Sequence, residues 1–331
     1  MKKRIIYLDF IRGIAIVMIV LGHSLRGIHE FGLQIYGFEH IDLLLYSIHL
    51  PIIFFLSGYS ESMFGKLNCG EISYKEYLKK NFVSLYIPYI IFSYVFWCIK
   101  FFVFSGNTEA TILDLFLMPF IGKWHLWYLL SLLLIKAIFG LFESKKNKIT
   151  YSIVLFLLIY ASNMIFNFTI LEWLSFGIFY TIGFMIHEYK LEANNKILLI
   201  CFISIVLCFL TNILFLKDLN INRVFLGLPL TFILNYYFSK LNSIIKYAYI
   251  GKNSLVVYLV HTLFTSSIRV ALDYFGINSI FIHVLAGVML SIILSLAIIL
   301  VYKKVKIFNW IEYLFYPKLF DKIINKNCKG N

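Results

Sequence analysis

Charge is scarce in this chain: 14% of its 331 residues are Asp, Glu, Lys or Arg, against 61% hydrophobic, and the mean hydropathy is +0.84. That excludes an ordinary soluble domain, in which roughly a quarter of residues are charged. Cysteine is scarce too. The five (Cys69, Cys98, Cys201, Cys208, Cys328) lack metal-ligand spacing and three lie in apolar runs, so free thiols are expected, with neither a disulfide framework nor a metal site. A small-residue cleavage site is missing from "GHSLRGIHEF", so Lys2, Lys3, Arg4 and the apolar stretch behind them do not read as a removed leader. The alternation of barrel strands is absent, and no internal repeat of the transporter kind is visible. Acidic residues are few enough to leave a net charge of +13, yet the basic residues are spread through loops and form no single patch. No nucleic-acid partner is expected, and the positive-inside rule accounts for the excess.

What is present is a succession of apolar runs near the length that crosses a bilayer. About ten spans are expected: 9–28, 41–62, 82–104, 124–142, 150–167, 172–187, 197–216, 223–239, 253–272 and 280–302. With the N-terminus in the cytoplasm, most of the 30 basic residues fall on that side. The other side receives Arg26, Lys123, Lys217, Arg223 and Arg269, so both termini are expected in the cytoplasm. Lipid leaves no water to pair backbone groups, so the spans must be helices and the fold all-α. Residues 1–304 read as one membrane domain of a multi-pass protein of a bacterial cell membrane. Residues 305–331 read as a cytoplasmic interfacial helix, 305–320, with a basic tail. A second surface helix, 72–80, likewise mixes aromatics with lysines.

The first span carries unusual cargo. In "LDFIRGIAIVMIVLGHS", residues 8–24, Asp9, Arg12 and His23 share one helical face, because eleven residues return within roughly 20° of the starting direction. Ionisable groups inside a span are costly and point to function. A neutral imidazole can take a proton from a hydroxyl as that oxygen attacks a carbonyl, and a guanidinium at the membrane edge can hold a phosphate. Arg12 and His23 stand about 16 Å apart along the axis, comparable to the reach of a pantetheine arm.

Four blocks, "YLDFIRGIAIVMIVLGHS" (7–24), "HLPIIFFLSGY" (49–59), "HLWYLLSLLL" (125–134) and "IGKNSLVVYLVH" (250–261), resemble the family-3 membrane acyltransferases, especially their fucose-4-O-acetylase-like branch, in order and spacing. The resemblance implies a multi-helical enzyme moving an acyl group, usually acetyl, from cytoplasmic acyl-CoA to a hydroxyl of a surface glycan or its lipid-linked precursor. It implies His23 as the essential histidine, Arg12 as the arginine associated with the donor, and Asp9 as the acidic residue before it. Where many relatives carry an arginine pair ahead of the proline of the third span, alignment on Pro88 puts Asn81 and Ser84, with Lys79 and Lys80 nearby. Many relatives also append an extracytoplasmic hydrolase-like domain; this chain stops soon after its last span, so direct transfer within the membrane domain is expected.

The remaining motifs divide between packing and chemistry. Pro51 can kink the second span, and Ser57 and Gly58 either pack helices or line the donor path. His49 sits at a depth that could approach His23. Trp127 belongs to an aromatic belt or offers a stacking face for a sugar. Tyr258 and His261 share a face and either bind substrate or bond a neighbouring helix. Glu172 could receive acceptor hydroxyls, and His283 reads as structural. The expected function is O-acetyl transfer from acetyl-CoA, with no metal, onto an exopolysaccharide, capsule or lipid-linked oligosaccharide. His23 is the expected base, and lipid and glycan-assembly proteins are the expected partners. The rival is a transporter or flippase of glycan precursors whose histidines relay protons.

Overall fold

A computed structural model of the chain describes residues 5–67, 70–103, 110–142, 145–166, 168–191, 194–214, 222–241 and 248–317. Lys2, Lys3, Arg4, Cys69, Lys217, Cys328 and the expected tail from residue 318 onward lie outside them. Among the described residues all regular structure is helical. The α-helices are α1 (Ile6–Glu30), α2 (Phe38–Phe64), α3 (Tyr74–Asn81), α4 (Ile87–Val103), α5 (Asp114–Leu117), α6 (Trp127–Gly140), α7 (Lys145–Phe166), α8 (Thr169–Ser175), α9 (Gly177–Glu188), α10 (Asn195–Leu214), α11 (Leu228–Ser239), α12 (Tyr249–Lys252), α13 (Ser254–Tyr274), α14 (Ile280–Lys304) and α15 (Ile311–Phe315). Each expected span has a helical counterpart. Among the described residues, six helices are long and apolar enough to cross a membrane: Ile6–Glu30, Phe38–Phe64, Tyr74–Phe102, Thr169–Glu188, Ser254–Tyr274 and Ile280–Lys304. Trp124–Gly140 and Asn195–Cys208 are shorter apolar helices, and the protein is a polytopic helical membrane protein.

Two expected surface helices differ from their sequence reading. The stretch 72–80 is not set apart from the third span but opens it. Ser73 caps α3 by accepting the Glu76 N–H at 3.3 Å, and residues 78–86 contain neither Gly nor Pro to stop the helix. Pro88 removes one N–H and crowds the Ser84 carbonyl, and the chain meets this with a π-turn, Phe82–Tyr86, in which the Ile87 N–H reaches back to the Phe82 carbonyl. The same device recurs at Arg223–Gly227, at the same offset ahead of Pro229. Within the described part of 305–320 there is only a 3-10 turn, Lys306–Phe308, and the five-residue α15. Phe315 is buried there against Phe92 and Tyr302, while Trp310 stays exposed.

The chain divides into two compact units, residues 1–63 with 179–300 and residues 64–178 with 301–331. In the first, helices close on one another through small residues. A Cβ on Gly58 would fall 1.8 Å from the Tyr180 carbonyl oxygen, and one on Gly183 would fall 2.1 Å from that of Phe55, so α2 and α9 touch backbone to backbone. Gly251 of α12 meets the Asp9 carbonyl of α1 in the same way. In the second unit, aromatic donors of the π-turn and α4 pin the segment before α6. Tyr86 donates to the Pro119 carbonyl, Tyr89 to that of Met118, Tyr94 to that of Leu115 and Trp97 to that of Thr111. These bonds satisfy backbone acceptors in an otherwise apolar setting, around a small core of Trp97, Ala110 and Met118.

Candidate active site

The start of α1 and the end of α2 meet in the first unit. Arg12 Nη1 donates to Asp9 Oδ1 at 3.0 Å, and Nη2 lies 3.5 Å from Ser60 Oγ. Asp9 is buried while the Arg12 side chain remains 29% exposed, so the carboxylate holds a guanidinium that can still be reached. One residue turn away the Tyr7 hydroxyl donates to that of Tyr59 at 3.0 Å. Asp9 lies fourteen positions before His23, about 21 Å along the helix, so it acts on Arg12 and not on the imidazole. Ser57 donates back to the Ile53 carbonyl at 2.7 Å, and Gly58 is spent on the approach of α9. Tyr59 and Ser60, the two residues that follow, are the ones that reach α1, and sequence reasoning passed them over.

Deeper in the same unit, three histidines and two tyrosines gather. The His23 and His261 ring centroids are 5.3 Å apart. Tyr46 stands edge-on to His23 at 6.2 Å and to His49 at 4.6 Å, and Tyr258 is 6.4 Å from His261. Gly22, one residue before His23, leaves room for the Tyr46 ring against α1. His261 and His49 are buried, at 0% and 2% exposure, whereas His23 is only half-buried. His261 Nδ1 lies 3.0 Å from the Val257 oxygen and 2.8 Å from the Tyr258 oxygen. Carbonyls only accept, so Nδ1 carries the hydrogen and the neutral ring presents Nε2 as its acceptor nitrogen. The backbone thus fixes the tautomer of the ring beside His23.

A turn beyond His23, Arg26 makes a two-pronged ion pair with Asp42, both contacts at 2.7 Å, and its guanidinium lies 3.5 Å from the centre of the Tyr46 ring. Arg223, in the π-turn, is buried at 2% exposure. The charge count placed both arginines at the side opposite the N-terminus, within the ends of their spans. Spacing held the signal for one of them: Arg26 is three residues after His23 and so on its face. His283 donates Nε2–H to the Ile277 carbonyl at 2.6 Å.

The other site candidates belong to the second unit. Lys80 pairs with Glu76 at 2.6 Å on an exposed face, and Lys79 is exposed. Asn81 donates to the Tyr77 carbonyl and Ser84 to that of Lys80, so the side chains at the arginine-pair positions serve their own helix. Trp127 stacks on Trp173 at 6.3 Å beside Phe176 at 5.6 Å, within an aromatic set that Gly122 admits. Glu172 opens the turn that Ser175 closes by donating to its carbonyl at 2.6 Å. Asp114, outside the spans, is desolvated by burial, which raises its pKa. Hydrogen bonds from Lys123 and the Thr111 N–H, with the Lys123 charge, outweigh this and hold it below the ordinary carboxylate range. Among the described residues, no three His, Cys, Asp or Glu side chains are grouped to hold a metal ion.

The family profile described as an acyltransferase domain matches residues 5–300, which include the whole imidazole cluster and the Asp9–Arg12 pair. Nodulation protein NolL of Sinorhizobium fredii is 30% identical over 154 residues, a stretch covering 43% of this chain and 38% of NolL's own length. No solved structure matches.

Proposed function

The chain belongs to the acyltransferase 3 family of membrane proteins, and from that premise we propose that it moves an acetyl group from cytoplasmic acetyl-CoA to a hydroxyl of a surface polysaccharide or a lipid-linked glycan precursor. The observation that carries this reading is the half-buried His23 beside His261, whose tautomer the backbone fixes, with Arg12 about 16 Å away on the same helix. Arg12, held by Asp9, grips an anionic part of the donor. The thioester then reaches His23. The acceptor oxygen attacks the thioester carbonyl as its proton passes to the His23 imidazole; the C–S bond breaks, and the imidazolium returns that proton to the departing thiolate. His261 acts as a positioning residue for His23. Tyr46, Tyr258 and His49 line the acceptor side.

Lys79 and Lys80 offer the donor long-range attraction at most, since an exposed pair such as Lys80–Glu76 is worth only about 0.3–0.5 kcal/mol and neither side chain is a two-pronged fork. The acceptor assignment is tested by comparing the surface glycan of cells with and without the protein by NMR. Loss of an O-acetyl ester on removal supports it, and an unchanged set of esters contradicts it.

A further inference from the structure

The end of the first unit that bears Arg12 also contains a cavity of about 450 Å³, the size of a small-molecule site. It lies between the ends of α2, α9 and α11, and its lining includes Tyr59, His187, Lys190, Asn235, Tyr236 and Lys240. Tyr59 joins it to the donor-gripping residues: it receives the Tyr7 hydroxyl, and the next residue, Ser60, meets Arg12. His187 Nδ1 lies 2.8 Å from Ser62 Oγ, whose single proton goes to Glu188 Oε2 at 3.0 Å. Nδ1 therefore donates, and the Glu188 carboxylate is turned to Ser62.

Three features of this cavity point to a ligand. Its two ammonium groups, Lys190 and Lys240, come from different helix ends. Lys240 caps the Tyr236 ring face at 3.9 Å and donates to that hydroxyl. Lys190 is held at φ +49°, a left-handed conformation uncommon outside glycine. The amide oxygen of Asn235, a residue 93% buried by its 7% exposure, has no hydrogen-bond partner among the described residues, although a buried acceptor of this kind is costly to leave unpaired. Cations for phosphates, tyrosine faces for stacking and a buried acceptor for an exocyclic amine are together the requirements of an adenine nucleotide.

We infer that this cavity seats the phosphorylated nucleotide end of the acyl donor, with Lys190 and Lys240 on its phosphates, Tyr236 or Tyr59 against the base and Asn235 accepting from the base amine. The inference rests on the proposed use of acetyl-CoA. It supplies the phosphate contacts that Asn81 and Ser84 do not.

The test uses the full chain in lipid nanodiscs with two donors, acetyl-CoA and S-acetylpantetheine, the second lacking the nucleotide and its phosphates. In the Lys190→Gln/Lys240→Gln protein, the ratio of kcat/KM for acetyl-CoA over S-acetylpantetheine falls by about tenfold or more, the loss of at least one charge-assisted hydrogen bond. Asn235→Ala lowers it in the same direction, and Lys196→Gln, outside the cavity, does not. An unchanged ratio in the double variant overturns the inference, as does an equal loss with both donors. A binding arm separates this inference from the reaction: CoA raises the thermal midpoint of the parent protein and not of the double variant. If the parent binds CoA in this way yet transfers no acetyl group, the proposed reaction fails and the cavity stands; if CoA shifts both proteins equally, the cavity fails.

Discussion

At the scale of single residues, the stripe of Asp9, Arg12 and His23 was legible because helical spacing alone puts it on one face, and Arg12 does find Asp9 in the structure. Its partners were not legible. Ser60, Tyr46 and His261 come from distant sequence, and only packing brings them to α1. Arg12→Gln is expected to raise KM for acetyl-CoA by about tenfold or more, with a smaller change in kcat, in steady-state assays on reconstituted protein. Arg12→Lys recovers part of that loss, since a point charge replaces the fork only in part. Asp114 carries a different prediction. Its depressed pKa stabilises the fold fully above the ordinary carboxylate value of 3.8, and that contribution disappears as pH falls through the lower folded value. Asp114→Asn is expected to destabilise by about 1–3 kcal/mol near neutral pH and to flatten the acid limb of a thermal-stability profile.

At the scale of elements, hydropathy located each span but misjudged how they begin. The surface helix expected over 72–80 is continuous with the third span because a π-turn, not a break, accommodates Pro88; composition cannot distinguish these two answers to a proline. The device recurs ahead of Pro229, where Arg223 of the π-turn is buried. Small residues are equally ambiguous in sequence. Gly58 could line a path or pack a helix, and the Tyr180 carbonyl lies where its Cβ would be. Gly58→Ala therefore forces α2 and α9 apart. The expected cost is about 1–3 kcal/mol, read as a lower midpoint in a detergent melt, and an unchanged midpoint would refute the contact.

At the scale of the whole molecule, charge bias gives the expected sidedness, and the contacts of the first unit sort the helix ends into two groups that a labelling experiment can assign to sides. The start of α1, the ends of α2, α9 and α11 and the start of α12 meet at one end, through Tyr7–Tyr59, Ser62–His187, Phe10–Phe238 and Gly251–Asp9. At the other, Arg26 meets Asp42, His29 stacks on Phe38 and Arg269 lies against Gly27. In a cysteine-free background, Tyr36→Cys is expected to react with a membrane-impermeant maleimide in intact cells. Lys190→Cys reacts only after permeabilisation, and the reverse pattern would invert the topology.

The central claim is that His23 is the base that takes the acceptor's proton as the acyl group passes from the donor to that hydroxyl. It is tested most directly by following labelled acetyl from acetyl-CoA onto lipid-linked glycan with reconstituted parent and His23→Ala proteins matched for thermal midpoint. The account predicts labelled ester with the parent and none above background with the variant; undiminished transfer by a folded His23→Ala protein would contradict it.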